Sequence, residues 1–236
     1  MREVRRIGKV LGTVVILFLL LGLPAARPAA PLLPLEDPED LSRIEAAMGA
    51  YLSVLELRKE YARDFYKLGL SAAAEGSLEP ALDCYLEALR IDPEYQETYY
   101  GLGVAMLQRE NYPAAIYFLR KYLDFQPAAA PAWNNLGLAL SREGQTEEAT
   151  DCYREATALA PNFFEAHYNL GLDLLARQEF SRAAAAFREA TRIRPEFPDT
   201  YRHLGLALRK LEEAGDVGER EKPGIKAPGE GGPDES

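Results

Sequence analysis

Apolar residues recur at helical spacing along most of this chain, and one pattern of large, small and helix-breaking positions returns at a fixed interval. Gly69, Gly103, Gly137, Gly171 and Gly205 stand 34 residues apart, as from 69 to 103. Ala81, Ala115, Ala149 and Ala183 keep the same step, as do Pro93, Pro127, Pro161 and Pro195. Phe65, Tyr99, Trp133, His167 and Tyr201 complete the frame. A period of this size marks a solenoid of stacked units, none of which buries its apolar face alone.

Each unit reads as two antiparallel helices. In the third, Trp133, Leu136, Gly137 and Leu140 share one face of a first helix, and Gly144 breaks it. Ala149, Tyr153 and Ala156 then line one face of a second helix. A glycine inside a helix costs about 1 kcal/mol against alanine, so five at one register need a steric reason. Gly137 and Ala149 lack bulk where the two helices cross, which lets the backbones approach while Trp133 and Tyr153 fill the space on either side. Pro161 has no N–H to give to a continuing helix and ends the second one.

The flanks obey other rules. Arg2, Arg5, Arg6 and Lys9 precede an uncharged, mostly apolar run from Val10 to Leu23. The run is about 14 residues, against the roughly 20 of a comfortable membrane span. Residues 1–26 therefore read as a signal peptide or signal anchor, with the basic end cytoplasmic and the remainder exported. Two outcomes stay open: cleavage after Ala25, giving a secreted or periplasmic product, and retention as a transmembrane helix. Residues 27–38, with Pro28, Pro31, Pro34 and Pro38, read as a stiff spacer. Asp40 is placed to cap an N-terminal helix over 39–61, whose Leu41, Ile44, Met48, Leu52 and Leu55 fall at helical spacing. From 215 to 236 glycine, proline and charge dominate, which predicts a disordered tail.

Composition narrows the function rather than the fold. A formal net charge of −10 argues against nucleic acid as a partner, and 47% apolar residues suit a packed core. Cys84 and Cys152 hold equivalent places two periods apart. Packed helices lie about 8–10 Å from one another, so two periods exceed the roughly 7 Å between Cα atoms that a disulfide tolerates. His167 occupies the framework aromatic position and is expected to pack; His203 has no short-range partner, and neither sits in a metal-binding spacing. With no nucleophile motif and no phosphate-cradling loop, no catalytic residue, cofactor or metal is expected.

Trp133, Leu136-Gly137, Leu140, Ala149, Tyr153, Ala156 and Pro161 together resemble the tetratricopeptide repeat signature, and the likeness covers roughly residues 62–213. Leu119 and Tyr122 replace an aromatic and an alanine in the second unit, and His167 an aromatic in the fourth. The resemblance implies an all-α fold, a right-handed α-α superhelix over 62–214. Four full repeats (62–95, 96–129, 130–163, 164–197) would be followed by a capping half-repeat (198–214).

The resemblance also implies a concave groove lined by first helices, which grips a segment of a protein partner. It places Tyr66, Tyr100, Asn134 and Tyr168 at one groove-facing offset, and Leu70, Val104, Leu138, Leu172 and Leu206 one helical turn on. Packing between neighbouring repeats is the competing role for both sets. Asn135 and Asn169 share the next offset, where asparagines in the repeats of O-linked N-acetylglucosamine transferases bond the backbone of a bound chain; a carboxamide both donates and accepts. The ladder has two rungs only, since Lys67, Gly101 and His203 stand at the other steps. The offsets of the carboxylate-clamping co-chaperones hold Tyr66 and Leu70 instead, so no such clamp is expected. Glu97, Glu165 and Asp199 recur at the groove's edge, either as a solvated face or as a hint of a basic partner. The reading is a non-enzymatic interaction scaffold, exported across or anchored to the membrane. The alternative is a self-associating component of an envelope assembly.

Overall fold

The computed structural model describes residues 38–220. Among these the elements are α1 (Pro38–Ala74), α2 (Leu78–Ile91), α3 (Gln96–Gln108), α4 (Tyr112–Phe125), α5 (Ala130–Arg142), α6 (Thr146–Leu159), α7 (Phe164–Ala176), α8 (Phe180–Ile193) and α9 (Pro198–Arg220). The chain divides into two compact units, Met1–Val54 and Leu55–Ser236. Of the first, only the opening part of α1 is described; the repeats all lie in the second.

Helices α3 and α4, α5 and α6, and α7 and α8 pack as hairpins, each stacked on the next, and α9 closes the array against α8. This is the expected all-helical solenoid. Ala81, Ala115, Ala149 and Ala183 are all fully buried at the crossings, where the backbones come close. Tyr85, Tyr153 and Phe187 fill the space above them, and Leu119 does so in the second repeat, where an aliphatic replaces the ring.

Two boundaries differ from those expected. The helix placed at 39–61 is not separate: α1 runs unbroken into the first repeat, because residues 54–65 contain no glycine or proline to stop it. It begins at Pro38, a residue favoured at the first helical position, so Asp40 lies inside rather than at the cap. At the other end α9 continues through Gly215 and Gly218 to Arg220, so the first six residues of the expected disordered tail are helical. An established helix extends at little cost per residue, which two glycines do not outweigh here. The leader, residues 27–37 of the spacer and residues 221–236 lie outside the described residues, while Pro38, the last residue of the expected spacer, is helical. Among the described residues no helix is long and apolar enough to cross a membrane.

The turn inside each hairpin is built the same way four times. Gly76, Glu110, Gly144 and Gln178 all have positive φ, at 77°, 58°, 85° and 62°. In each, this residue's N–H bonds back three residues and the next N–H five, as in Gly144 to Ser141 O (3.1 Å) and Gln145 to Leu140 O (2.9 Å). That pairing is the Schellman end of a helix, which satisfies carbonyls the helix leaves open. Glycine reaches the left-handed region without strain, whereas a Cβ there costs on the order of 1 kcal/mol. Glu110→Gly and Gln178→Gly are each expected to stabilise the array by about 0.5–1 kcal/mol, seen as a higher urea midpoint. No gain in either variant would show that those turns carry no strain.

Framework side chains tie the second, third and fourth hairpins to the proline before each. Tyr99 Oη donates to Pro93 O (2.9 Å) and Trp133 Nε1 to Pro127 O (2.8 Å). His167 Nε2 lies 3.0 Å from Pro161 O, so the histidine takes both the place and the hydrogen bond of the ring it replaces.

Among the described residues one carboxyl is buried. Asp173 on α7 is 5% exposed; Thr150 Oγ1 on α6 donates to it, and Arg177 Nη1 reaches Thr150 Oγ1 at 3.2 Å. Burial pushes the Asp173 carboxyl above its ordinary value, while the bond from Thr150 and the charge of Arg177 pull it back. A raised carboxyl binds its proton more tightly folded than unfolded. Its contribution to stability is fully present below the unfolded value of about 4 and is lost as pH rises through the folded one. Asp173→Asn should therefore melt above the wild type near neutral pH, and the gap should close toward about pH 3. A gap that widens in acid would reverse the sign.

Candidate functional site

The first helices carry the residues singled out for partner binding, and the structure joins most of them to one another. Asn135 Nδ2 on α5 donates to Tyr100 Oη on α3 (3.1 Å). Asn169 Nδ2 on α7 donates to Asn134 Oδ1 on α5 (2.9 Å). Tyr168 Oη on α7 lies 3.2 Å from His203 Nδ1 on α9. Each bond spans 35 residues, one more than the period, so neighbouring first helices are laced together rung by rung. At the remaining step the partner of Tyr66 is Gly101, whose missing Cβ would sit 3.3 Å from Tyr66 Cε2 and 3.0 Å from Tyr85 Cζ. There a ring covers a glycine in place of a polar rung.

These side chains are half-buried rather than free. Asn134 is 6% exposed. Tyr66 packs on Tyr85 and Tyr95, each at 5.7 Å between centroids, and Tyr100 on Tyr122 at 5.1 Å. Burial raises the Tyr100 and Tyr168 hydroxyls, helped by Tyr122 and Asp199 respectively. Tyr66 is pushed up to about 12, first by burial and then by its tyrosine neighbours and Glu97. All three hydroxyls therefore stay protonated through the physiological range and keep a proton to donate. Asn135 and Asn169 each already spend one amide N–H within the array, while their carbonyl oxygens accept no bond from a described residue. One helical turn on, Leu70 is exposed and Val104, Leu138, Leu172 and Leu206 are half-buried, an aliphatic stripe beside the rungs.

The three edge acids do not share one environment. Glu165 pairs with Arg194 (3.0 Å) and Asp199 with Arg202 (2.9 Å), whereas Glu97 forms no ion pair with a described residue. Spacing alone put them in one class; the arginine that answers Glu165 lies 29 residues on, at a place where the second repeat has Gln126.

The cysteines are free: Cys84 is half-buried and Cys152 buried, with its thiol pushed up to about 12, first by burial and then by Glu148. A thiol so raised is a poor nucleophile. Among the described residues no group of three or more His, Cys, Asp or Glu is placed to hold a metal ion.

Stacked helical hairpins with laced first helices define a repeat scaffold of the kind that carries protein–protein interactions. The chain is a tetratricopeptide repeat protein: models of the family match residues 130–163 and 164–197, and a TPR repeat model matches residues 71–109. Solved structures agree. A crystal structure of MamA is 26% identical with a TM-score of 0.57, over 65% of this chain and 96% of that one. PilF of Pseudomonas aeruginosa is 27% identical with a TM-score of 0.59, over 66% and 71%. YrrB, described as a TPR protein with an unusual peptide-binding site, is 25% identical with a TM-score of 0.58, over 73% and 94%. No curated protein matches the sequence.

Proposed function

We propose that this chain is a non-enzymatic scaffold, exported across or anchored to the membrane by its N-terminal segment, that binds a segment of a partner protein along its first helices. The observation that carries the reading is the stripe of half-buried aliphatics from Val104 to Leu206 beside carbonyl oxygens that accept no bond from a described residue. Apolar contact area next to acceptors that no described side chain engages suits a peptide backbone, whose N–H groups need partners when water is displaced. The basic residues ahead of an apolar run favour export, and the unusual peptide-binding site described for YrrB favours the mode of grip.

The test charges the stripe itself, and because Leu172 also packs against the core it includes a check of folding. Leu138→Glu combined with Leu172→Glu puts two charges on the stripe while leaving the rungs in place. Crosslinking in intact cells should lose the captured partner, by at least tenfold, while the circular dichroism spectrum stays helical. Capture that persists in a folded double variant would remove the groove from consideration.

A further inference from the structure

The fourth repeat shows how this scaffold holds an arginine of its own. Arg194 Nη2 lies 3.0 Å from Glu165 Oε1, and its guanidinium sits 4.1 Å from the centroid of the Phe164 ring. Carboxylate and aromatic face together make a receptor for a guanidinium: the first supplies charge, the second a flat, electron-rich surface.

Two periods earlier the same register carries the same carboxylate without the cation. Glu97 corresponds to Glu165, and Gln126 to Arg194. Gln126 turns instead to Gln96, donating from Nε2 to Oε1 at 2.9 Å. Aromatic faces are present here too, from other positions. Tyr95 lines the cleft beside Glu97, and its ring is 5.7 Å from that of Tyr66. The charge on Glu97 is felt at the hydroxyls of Tyr66, Tyr95 and Tyr122, after burial in each case.

The cleft itself is of about 720 Å³, with five carboxylates in its lining, Glu97 among them, against two cations, Lys59 and Arg63. Lys59 is 3.6 Å from Glu56. Arg63 is near enough to lower the Tyr95 hydroxyl slightly, yet it forms no ion pair with Glu97. The net charge of the lining therefore favours a basic visitor.

We propose that this cleft receives an arginine side chain of the partner segment, its guanidinium paired with Glu97 and laid against the ring of Tyr95. The partner would then supply in trans what Arg194 supplies in cis two repeats further along. This rests on the groove reading above and adds the chemistry of one anchor point to it.

The probe is a fluorescein-labelled synthetic nonapeptide in which a single arginine stands between leucines. Its twin carries citrulline, which keeps the shape and loses the charge. Anisotropy titrations of the full chain should show the arginine peptide binding about fivefold tighter than the citrulline one, the scale of one partly exposed charge pair. Glu97→Gln should erase that preference, and Glu165→Gln, whose carboxylate is already answered, should not. Gln126→Arg should erase it as well, by providing the cation internally, and circular dichroism confirms that each variant is folded. Equal binding of the two peptides, equal effects at Glu97 and Glu165, or no detectable binding of either peptide overturns the proposal. If both peptides bind alike and Leu138→Glu with Leu172→Glu weakens both, the arginine site falls and the groove stands. If that double variant leaves the arginine preference intact while Glu97→Gln removes it, the site stands and the groove falls.

Discussion

Leucine at Gly137 is expected to destabilise the array by about 3 kcal/mol or more, whereas alanine at Gly205, in the same register, is expected to stabilise it by roughly 1 kcal/mol. A Cβ on Gly137 would lie 2.7 Å from Tyr153 Cε1, and on Gly171 2.6 Å from Phe187 Cε1. Both rings are buried, at 2% and 0% exposure, so neither has room to retreat. Packed cores answer extra volume by straining rotamers and shifting backbone, which is why one methyl group is felt. At Gly205 nothing lies within 4 Å, and the residue is exposed on α9. Only the intrinsic penalty of glycine in a helix acts there. Thermal melts of Gly137→Leu and Gly205→Ala check the pair. Equal melting temperatures would mean that the small residues do not set how closely the helices approach.

Tyr168 is the second position where a large effect is expected, and it separates a structural from a binding role. Its ring meets Phe164, Phe187, Phe197 and His203, with centroids 5.6–6.0 Å away. Tyr168→Ala should cost about 2–3 kcal/mol, somewhat below the usual figure for a fully buried ring because the residue is half-exposed. Tyr168→Phe keeps the packing and loses only the contact with His203, for about 1 kcal/mol or less. Alanine at Tyr100, Asn135 and Tyr168 together would therefore not isolate partner capture, because it also unlaces the array. Urea midpoints decide the point. If Tyr168→Ala is as stable as Tyr168→Phe, the tyrosine is free for a partner after all.

Sterically strict features were legible in the sequence. Glycine under Tyr85, Leu119, Tyr153 and Phe187, alanine at the crossings and proline after each second helix admit few substitutes, so the period stands out without any structure. The role of His167 could be read from its register for the same reason. Side-chain pairing was not legible. Whether Asn135 points at a visitor or at Tyr100 depends on the twist between hairpins and on rotamers, neither of which the period encodes. A signal was present nonetheless: polar residues at both ends of a 35-residue step, as in Asn134 with Asn169 and Tyr168 with His203. The same reasoning explains the edge acids, which look alike in sequence and differ in whether an arginine reaches them. The ends of the array escaped the sequence for another reason. Helix termination in α1 and α9 is a weak preference set against cooperative extension, and the preference lost.

Because each polar rung fastens only adjacent first helices, the array behaves as a row of separately bolted joints. Among the described residues the joint between α1 and α3 has no such bolt, since Gly101 offers Tyr66 nothing but a surface to slide on. Bending under load should therefore begin there, at the end nearest the N-terminal segment, while the later joints turn as one stiff body.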